Sequence, residues 1–333
     1  MKIGLVGAGR IGSMHAEVLS RFDEVSEIVL ADVETDRARV VAAKVGGHAV
    51  DSVPALFEAG PDGVVIAAAT DAHAHLIKTA VAHDIPVFCE KPRGVRRGGH
   101  ARGDRGHRGS GVPVQIGFQR RFDPGYRKAR EAVVSGRLGW VHTLRSCTFD
   151  AAPPPAEYIA TSGGLYRDCV LHDLDSIRWV TGREVVSVFA VGANRGASFF
   201  ADFDDIDTTS ALLTLDDGTI AVVSGSRYNE AGYDVRLEVL GQKGSIVVGL
   251  DDNSALQSAE SGALFPAGVP HASFPERFAA AYAAELRAFV HLVRHGGVSE
   301  CTPVDALQAF YAAEACELSR REARAVSISE VVR

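Results

Sequence analysis

Short apolar runs alternate with amphipathic stretches through the first third of the chain. Lys2-Ile3-Gly4-Leu5-Val6 has the length of a strand, and Met14, Val18 and Leu19 behind it fall at helical spacing. Glu27 to Ala31 repeats the strand signal. Gly63-Val64-Val65-Ile66-Ala67 is continuously apolar, as parallel strands buried on both faces are, and Pro86-Val87-Phe88-Cys89 and Val112 to Ile116 follow. Strands alternating with helices in this way predict a doubly wound parallel sheet. Beyond Phe122-Asp123-Pro124, which opens a helix through Val133, the rhythm changes. A strand from Val141 to Phe149 leads into the extended proline run 153–155. A helix opened by Gly163-Gly164 then carries Leu171, Leu174, Ile177 and Trp179 on an apolar stripe and stops near Gly182. Strand-like runs come next, at Val185 to Val191, Thr208 to Leu215, Thr219 to Ser226, Val235 to Leu240 and Ser245 to Val248. Asp216-Asp217-Gly218 between two of them signals a tight hairpin, so this second sheet is expected to be open and mostly antiparallel. Helices Pro275 to His295 and Pro303 to Arg321 close the chain.

Composition narrows the function classes. With 333 residues, 46% apolar and 23% charged, the chain can form two domains with ordinary cores. A net charge of −7 offers no footprint for nucleic acid or an anionic membrane. No apolar run is long enough to span a bilayer, and no basic leader precedes the first strand, so a cytoplasmic protein is expected. Cys89, Cys147, Cys169, Cys301 and Cys316 are scattered without a CxxC pair and read as reduced thiols. His73 and His75 lack a third ligand nearby, so no metal site is expected.

The chemistry starts at the end of the first strand. Gly7-Ala8-Gly9-Arg10-Ile11-Gly12 is GxGxxG between a strand and a helix, where glycines allow a tight turn, a close approach of backbone to pyrophosphate and a helix–strand contact. The second strand ends on Asp32, whose carboxylate can accept from both ribose hydroxyls and would repel a 2′-phosphate. NAD is therefore favoured, while Arg37 and Arg39 keep NADP open. Thr70, Asp71 and His73 follow the Gly63 strand on the ligand side of such a sheet, with an N-cap role the alternative for Thr70 or Asp71. Glu90 and Lys91 reach the same edge, and a lysine there can hold a hydroxyl or alkoxide oxygen. In the helix after Gly163-Gly164, Asp168 and His172 stand at i and i+4, so the carboxylate can orient the imidazole and stabilise its charged form. A surface ion pair is the plain alternative. Asp175 would continue that face.

The glycine loop, Glu90-Lys91-Pro92, Gly117-Phe118-Gln119-Arg120-Arg121-Phe122-Asp123 and the Gly-Gly…Asp168…His172-Asp173 stretch together resemble the Gfo/Idh/MocA oxidoreductases. The run Pro153-Pro154-Pro155-Ala156-Glu157-Tyr158 makes the inositol 2-dehydrogenases the most similar branch. The resemblance implies an α/β protein, with an NAD-binding Rossmann domain over 1–118 and a substrate-binding and oligomerisation α+β domain over 119–333. It implies reversible hydride transfer between a secondary alcohol of a polyol ring and NAD. His172 would take the hydroxyl proton and Asp168 would hold the imidazole. Lys91 would bind the reacting oxygen and favour the proton-accepting form of His172. Cofactor contacts would come from Gly7, Gly9, Arg10, Ile11, Gly12, Asp32, Thr70, Asp71, His73, Glu90 and Lys91. Arg120, Asp175 and Tyr233 would contact other substrate hydroxyls, Tyr233 being equally readable as a sheet-face aromatic and Arg121 as a structural ion-pair partner. The open sheet would bury its second face in a homo-oligomer, dimer or tetramer. A sugar dehydrogenase, an NAD-dependent glycosidase and a non-catalytic cofactor-binding regulator are the rival readings.

Residues 93–111 break the pattern. A crossover helix is expected there, yet arginine and glycine dominate from Arg93 to Gly109 and no apolar face can be drawn. Arginine codons of the CGN type followed by glycine codons, read one nucleotide later, encode Val, Ala, Glu or Gly. A local reading-frame error is the expectation, and sequencing the source gene tests it.

Overall fold

The computed structural model describes residues 1–91 and 111–332, so the crossover expected within 93–111 lies outside the described residues apart from Gly111. In chain order the first elements are β1 (Lys2–Val6), α1 (Arg10–Leu19), β2 (Glu27–Ala31), α2 (Thr35–Val45), β3 (His48–Ala49), α3 (Val53–Glu58), β4 (Gly63–Ile66), α4 (Thr70–Ala82), β5 (Val87–Glu90) and β6 (Val114–Gly117). Next come α5 (Pro124–Val134), β7 (Val141–Phe149), α6 (Ala156–Ser162), a π-helical turn (Tyr166–Val170), α7 (Leu171–Thr181), β8 (Val185–Ala193) and α8 (Phe199–Asp202). The chain continues with β9 (Thr208–Leu215), β10 (Ile220–Ser226), β11 (Asp234–Gly241), β12 (Gly244–Val248), α9 (Phe274–Arg277), α10 (Ala279–His295), α11 (Pro303–Glu322) and β13 (Val326–Ser327).

The chain divides into two compact units. The first comprises Met1–Gln119 and Ala280–Ala306, around a parallel sheet of order β3-β2-β1-β4-β5-β6. That order reverses direction between β1 and β4, the crevice where doubly wound sheets bind nucleotides. Ile3, Leu5, Val65 and Phe88 of the sheet pack with Ala16 and Leu19 of α1 and with Leu286, Phe289 and Val290 of α10. This packing brings Ala280–Ala306 into the first unit, although the sequence reading assigns all of 119–333 to the second. Helical periodicity shows that α10 has an apolar face, and it carries no information on which sheet receives it.

The second unit, Arg120–Ala279 with Leu307–Arg333, is built on a sheet of order β12-β11-β7-β10-β9-β8-β13. All neighbours are antiparallel except β7 and β10, which run parallel in register Ile220↔Thr143 through Ser226↔Phe149. Leu144, Leu213, Val223 and Leu237 are buried on the face that α7 covers with Leu171, Leu174 and Ile177, while Phe189, Val191, Leu212 and Ile220 alternate onto the opposite, exposed face. Asp123 caps α5, accepting from the amides of Gly125 at 2.9 Å and Tyr126 at 3.2 Å, with Pro124 at the first helical position. The single helix expected from Gly163 is two pieces. Gly163 ends α6 in the left-handed conformation at φ +83, Gly164 follows at φ +93, and the chain then winds through the π turn into α7, which Gly182 ends at φ +66.

Candidate active site

In the first unit the glycine loop is a steric necessity at two positions and open at the third. Gly7 sits at φ +97, and a side chain there would stand 2.6 Å from the backbone of Ala67. At Gly12 a Cβ would lie 1.8 Å from the Gly7 carbonyl oxygen, whereas at Gly9 it would meet nothing within 4 Å. The backbone is thus left uncovered where a phosphate would approach. Arg10 and Ile11 open α1, whose first turn holds no acidic residue to offset its positive end. Asp32, 8% exposed, ties this loop to β2: its Oδ2 accepts from the Ala8 amide at 2.6 Å and its Oδ1 from the Glu34 amide at 2.8 Å. A carboxylate has about four acceptor sites, so beside these two amides and Arg37 Nη1 there is room for a ribose hydroxyl. Arg37 lies 3.5 Å from Asp32, and Arg39 turns to Asp36 and Asp51. The donor set therefore fits NAD.

Thr70 and Asp71 occupy the first turn of α4 beyond the carboxyl end of β4. The N-cap is Ala69 with no side-chain cap bond, which replaces the capping role considered for either residue. His73 is 3% exposed with Nε2 3.0 Å from the Ala68 carbonyl oxygen, so it fixes the β4–α4 loop from inside. The Glu90 carboxylate is turned to His15, with Oε1 2.6 Å from Nε2. Lys91, the residue after β5, is buried to 9% exposure at the same sheet edge.

In the second unit the π turn carries Asp168, and half-buried His172 is the second residue of α7. The extra residue of a π turn changes the rotation between Asp168 and α7, whereas His172 and Asp175 stand at i and i+3 within α7 itself. Asp168 is 7% exposed and held from two sides, accepting from Tyr158 Oη at 3.0 and 3.1 Å and from Arg227 Nη2 at 2.9 Å. Arg227 Nη1 also lies 3.0 Å from Asp150 Oδ2 and 2.7 Å from Cys169 Sγ. Burial opposes the guanidinium charge, but Cys169, Asp168 and Asp150 outweigh it and hold Arg227 well above its ordinary range. Burial pushes the Asp150 carboxyl up, and Arg227 only partly restores it. Tyr158, Arg227 and Asp150 went unassigned in the sequence. An arginine directly behind the alternating strand Thr219 to Ser226 is the one local signal, and its partners are remote in sequence.

Arg120 and Asp175 are placed otherwise than expected. Arg120 is 1% exposed, donating to Asp173 Oδ1 at 2.9 Å and Thr148 Oγ1 at 2.7 Å, between the rings of Tyr126 and Phe278. Ser146 and Thr148 also donate to Asp173. Asp175, 0% exposed, takes a bidentate pair from Arg121 at 2.9 and 2.5 Å. Both partners are inside the unit, and Arg120 keeps its buried Nε without a partner among the described residues. Tyr233, 9% exposed, precedes β11, its amide donating to the His271 carbonyl at 2.7 Å. Burial pushes its phenol far above the ordinary range.

Residues 1–97 match the family model for the oxidoreductase family with an NAD-binding Rossmann fold, and residues 126–247 match the GFO/IDH/MocA C-terminal domain. A myo-inositol dehydrogenase of Streptomyces leeuwenhoekii is 38% identical over 302 residues, 89% of each chain. The chain belongs to the Gfo/Idh/MocA oxidoreductase family. Within this family, a myo-inositol dehydrogenase from Corynebacterium glutamicum has a similar structure, at TM-score 0.90 and 33% identity over 98% of both chains. The scyllo-inositol dehydrogenase from Lactobacillus casei, solved with bound NAD(H) and scyllo-inositol, is similar at TM-score 0.86 and 29% identity over 99% of both. The Rossmann unit and the mostly antiparallel second sheet are those of the family, and NAD is its cofactor. No described helix is long and apolar enough to cross a membrane.

Proposed function

We propose that this Gfo/Idh/MocA chain is an NAD-dependent dehydrogenase that oxidises a secondary alcohol of a cyclic polyol, myo-inositol to the 2-keto inositol. The observation that carries the reading is the likeness, over nearly its whole length, to a dehydrogenase solved with NAD(H) and an inositol. NAD, bound over the glycine loop and Asp32, supplies the hydride acceptor. His172 takes the hydroxyl proton as the C–H bond breaks. Asp168 steadies the resulting imidazolium, and Arg227 with Tyr158 fixes Asp168. Lys91 binds the reacting oxygen and stabilises its developing negative charge. Tyr233 contributes to the substrate side, while Arg120 and Asp175 act through the buried pairs that hold β7 and α7.

The exposed sheet face bearing Phe189, Val191, Leu212 and Ile220 is read as the surface a second copy covers, giving a homo-oligomer. The cysteines are thiols, which suits a cytoplasmic location. The test is nicotinamide absorbance with purified protein, NAD and a panel of free polyols and sugars headed by myo-inositol. NADH accumulating with inositol supports the reading. Accumulation with an aldose instead moves the substrate to the sugar dehydrogenases. Turnover of a glycoside without net NADH would indicate the glycosidase, and cofactor binding without turnover the regulator.

A further inference from the structure

Three neighbouring strands of the second sheet end at one edge, and the residue beyond each end bears a polar side chain. β7 and β10 run parallel with Phe149 opposite Ser226, so Asp150 and Arg227 leave the sheet side by side. The Asp150 amide prolongs the ladder, donating to the Ser226 carbonyl at 2.9 Å. β11 runs the other way with Asp234 opposite Phe149, which brings Tyr233 to the same edge. The π turn packs closely on β10: a Cβ on Gly225 would stand 2.9 Å from Val170 Cγ2, so the missing side chain lets the turn bring Asp168 and Cys169 to these strand ends.

The hydrogen bonds within this group are unevenly spread. Asp150 Oδ2 is occupied, accepting from Arg227 Nη1 at 3.0 Å and from the Cys169 thiol at 3.5 Å. Its Oδ1 has no partner among the described residues, and the side chain keeps 21% of its surface exposed, whereas Asp168, Asp173 and Asp175 are enclosed. Arg227 Nη2 holds Asp168 at 2.9 Å, so one guanidinium fixes Asp150 relative to the carboxylate assigned to His172. The Tyr233 phenol, raised by burial, feels the charges of both Arg120 and Asp150, so Asp150 and Tyr233 border a common space. We propose that Asp150 is a substrate-binding residue that sets specificity, its Oδ1 accepting from a hydroxyl of the polyol ring while Arg227 and Cys169 hold Oδ2. A carboxylate fixed on one oxygen presents the other at a defined position, and a charged acceptor binds a hydroxyl more strongly than a neutral one. The hydroxyl concerned is not the reacting one, whose proton goes to His172 and whose oxygen meets Lys91. A ring that lacks it, or carries it in the opposite configuration, leaves the carboxylate unpaired and is rejected. The inference rests on the polyol reading of this site.

The test measures NADH formation by the wild type, Asp150→Asn and Asp150→Ser with myo-inositol and with its monodeoxy and epimeric analogues. In Asp150→Asn the amide oxygen stays toward Arg227, so a neutral NH2 group replaces the open acceptor. The KM for myo-inositol should rise about tenfold, with kcat lowered by less than about threefold and the KM for NAD within about twofold. At least one analogue should fall about tenfold or more behind myo-inositol in kcat/KM for the wild type, and that gap should close in Asp150→Asn. An unchanged KM for myo-inositol overturns the contact. A fall in kcat alone also overturns it and leaves Asp150 a support for Arg227 and Asp168. Should Asp150→Asn fail to fold, Asp150→Ser is read by the same criteria. A wild type that makes no NADH with any ring alcohol refutes the activity reading instead. Calorimetric titration of myo-inositol into the protein–NADH complex then decides the contact: tenfold weaker binding by Asp150→Asn supports it, and equal affinity, or no binding by the wild type, overturns it.

Discussion

Replacing Arg227 by methionine keeps the aliphatic stem of the side chain and removes the positive charge that Asp168 and Asp150 share. Arg227 is 2% exposed and reaches Asp168 at 2.9 Å and Asp150 at 3.0 Å, so both anions lose their cation at once. Breaking a buried pair by removing one partner costs about 3–5 kcal/mol. The loss has a definite pH dependence. Without the arginine, the folded-state pKa of Asp150, already raised by burial, rises further, so the variant holds protons in the folded state that the unfolded chain releases. A raised carboxyl favours folding below the unfolded pKa, and that stability drains away as pH climbs. The deficit of Arg227→Met should therefore be smallest near pH 5 and grow toward pH 8. Urea denaturation of both proteins at the two pH values measures it, alongside kcat and the KM for NAD. We expect kcat to fall, because Asp168 loses its anchor, while the KM for NAD stays within about twofold. A deficit independent of pH, or a large rise in the KM for NAD with kcat intact, would refute the charge argument.

Lys91→Ala and His172→Ala should each reduce NADH formation by about 10²–10⁴ while NAD titration by fluorescence stays near the wild type; loss of NAD binding would mark either residue as structural. Asp32→Ala removes an acceptor of the Ala8 and Glu34 amides as well as the ribose contact, so the KM for NAD should rise roughly 10–100-fold and discrimination against NADP should shrink. Asp175→Asn should cost about 3–5 kcal/mol in urea denaturation with an unchanged KM for myo-inositol; a raised KM without destabilisation would return Asp175 to the substrate. Glu285 of α10 is 0% exposed, and burial, with the charge of Glu90, raises its carboxyl in the folded state, so wild-type stability is lost as pH climbs above the usual carboxylate range. Glu285→Gln, which does not titrate, should gain on the wild type by up to about 1.4 kcal/mol per pH unit there, measured as a widening gap in urea midpoints.

The Rossmann unit was legible because its signals are local. The glycines at 7, 9 and 12 lie within one turn, and Asp32 closes β2 where the ribose carboxylate belongs. The five strand runs after Val185 were also readable, since alternation along β8 to β12 survives in the burial pattern. What escaped was everything fixed by partners far along the chain. Arg120 and Asp175 have the right chemistry for sugar hydroxyls, and only the positions of Asp173 and Arg121 show that each is held in a buried ion pair, Arg120 keeping its Nε without a partner among the described residues. The return of α10 to the first sheet and the pairing of Arg227 with Asp168 are long-range contacts of the same kind. The π turn escaped for another reason: glycines 163 and 164 and the apolar stripe beyond them fit a continuous helix equally well.

The pairing of charges around α7 supports the proposed assignment of proton transfer to the imidazole. Asp168, Asp173 and Asp175 are each matched to an arginine, 227, 120 and 121 respectively, and all three carboxylates are at most 7% exposed. An arginine does not lose its proton in the working range of an enzyme, so the positive side of each pair is fixed. A histidine is the side chain whose ordinary titration falls near neutrality. His172 stands within this segment, half-buried where its carboxylate neighbours are fully enclosed. In the proposed mechanism the fixed pairs hold the helix in place while His172 takes the proton. Substituting the pairs should thus alter stability first, and substituting His172 should alter the chemical step.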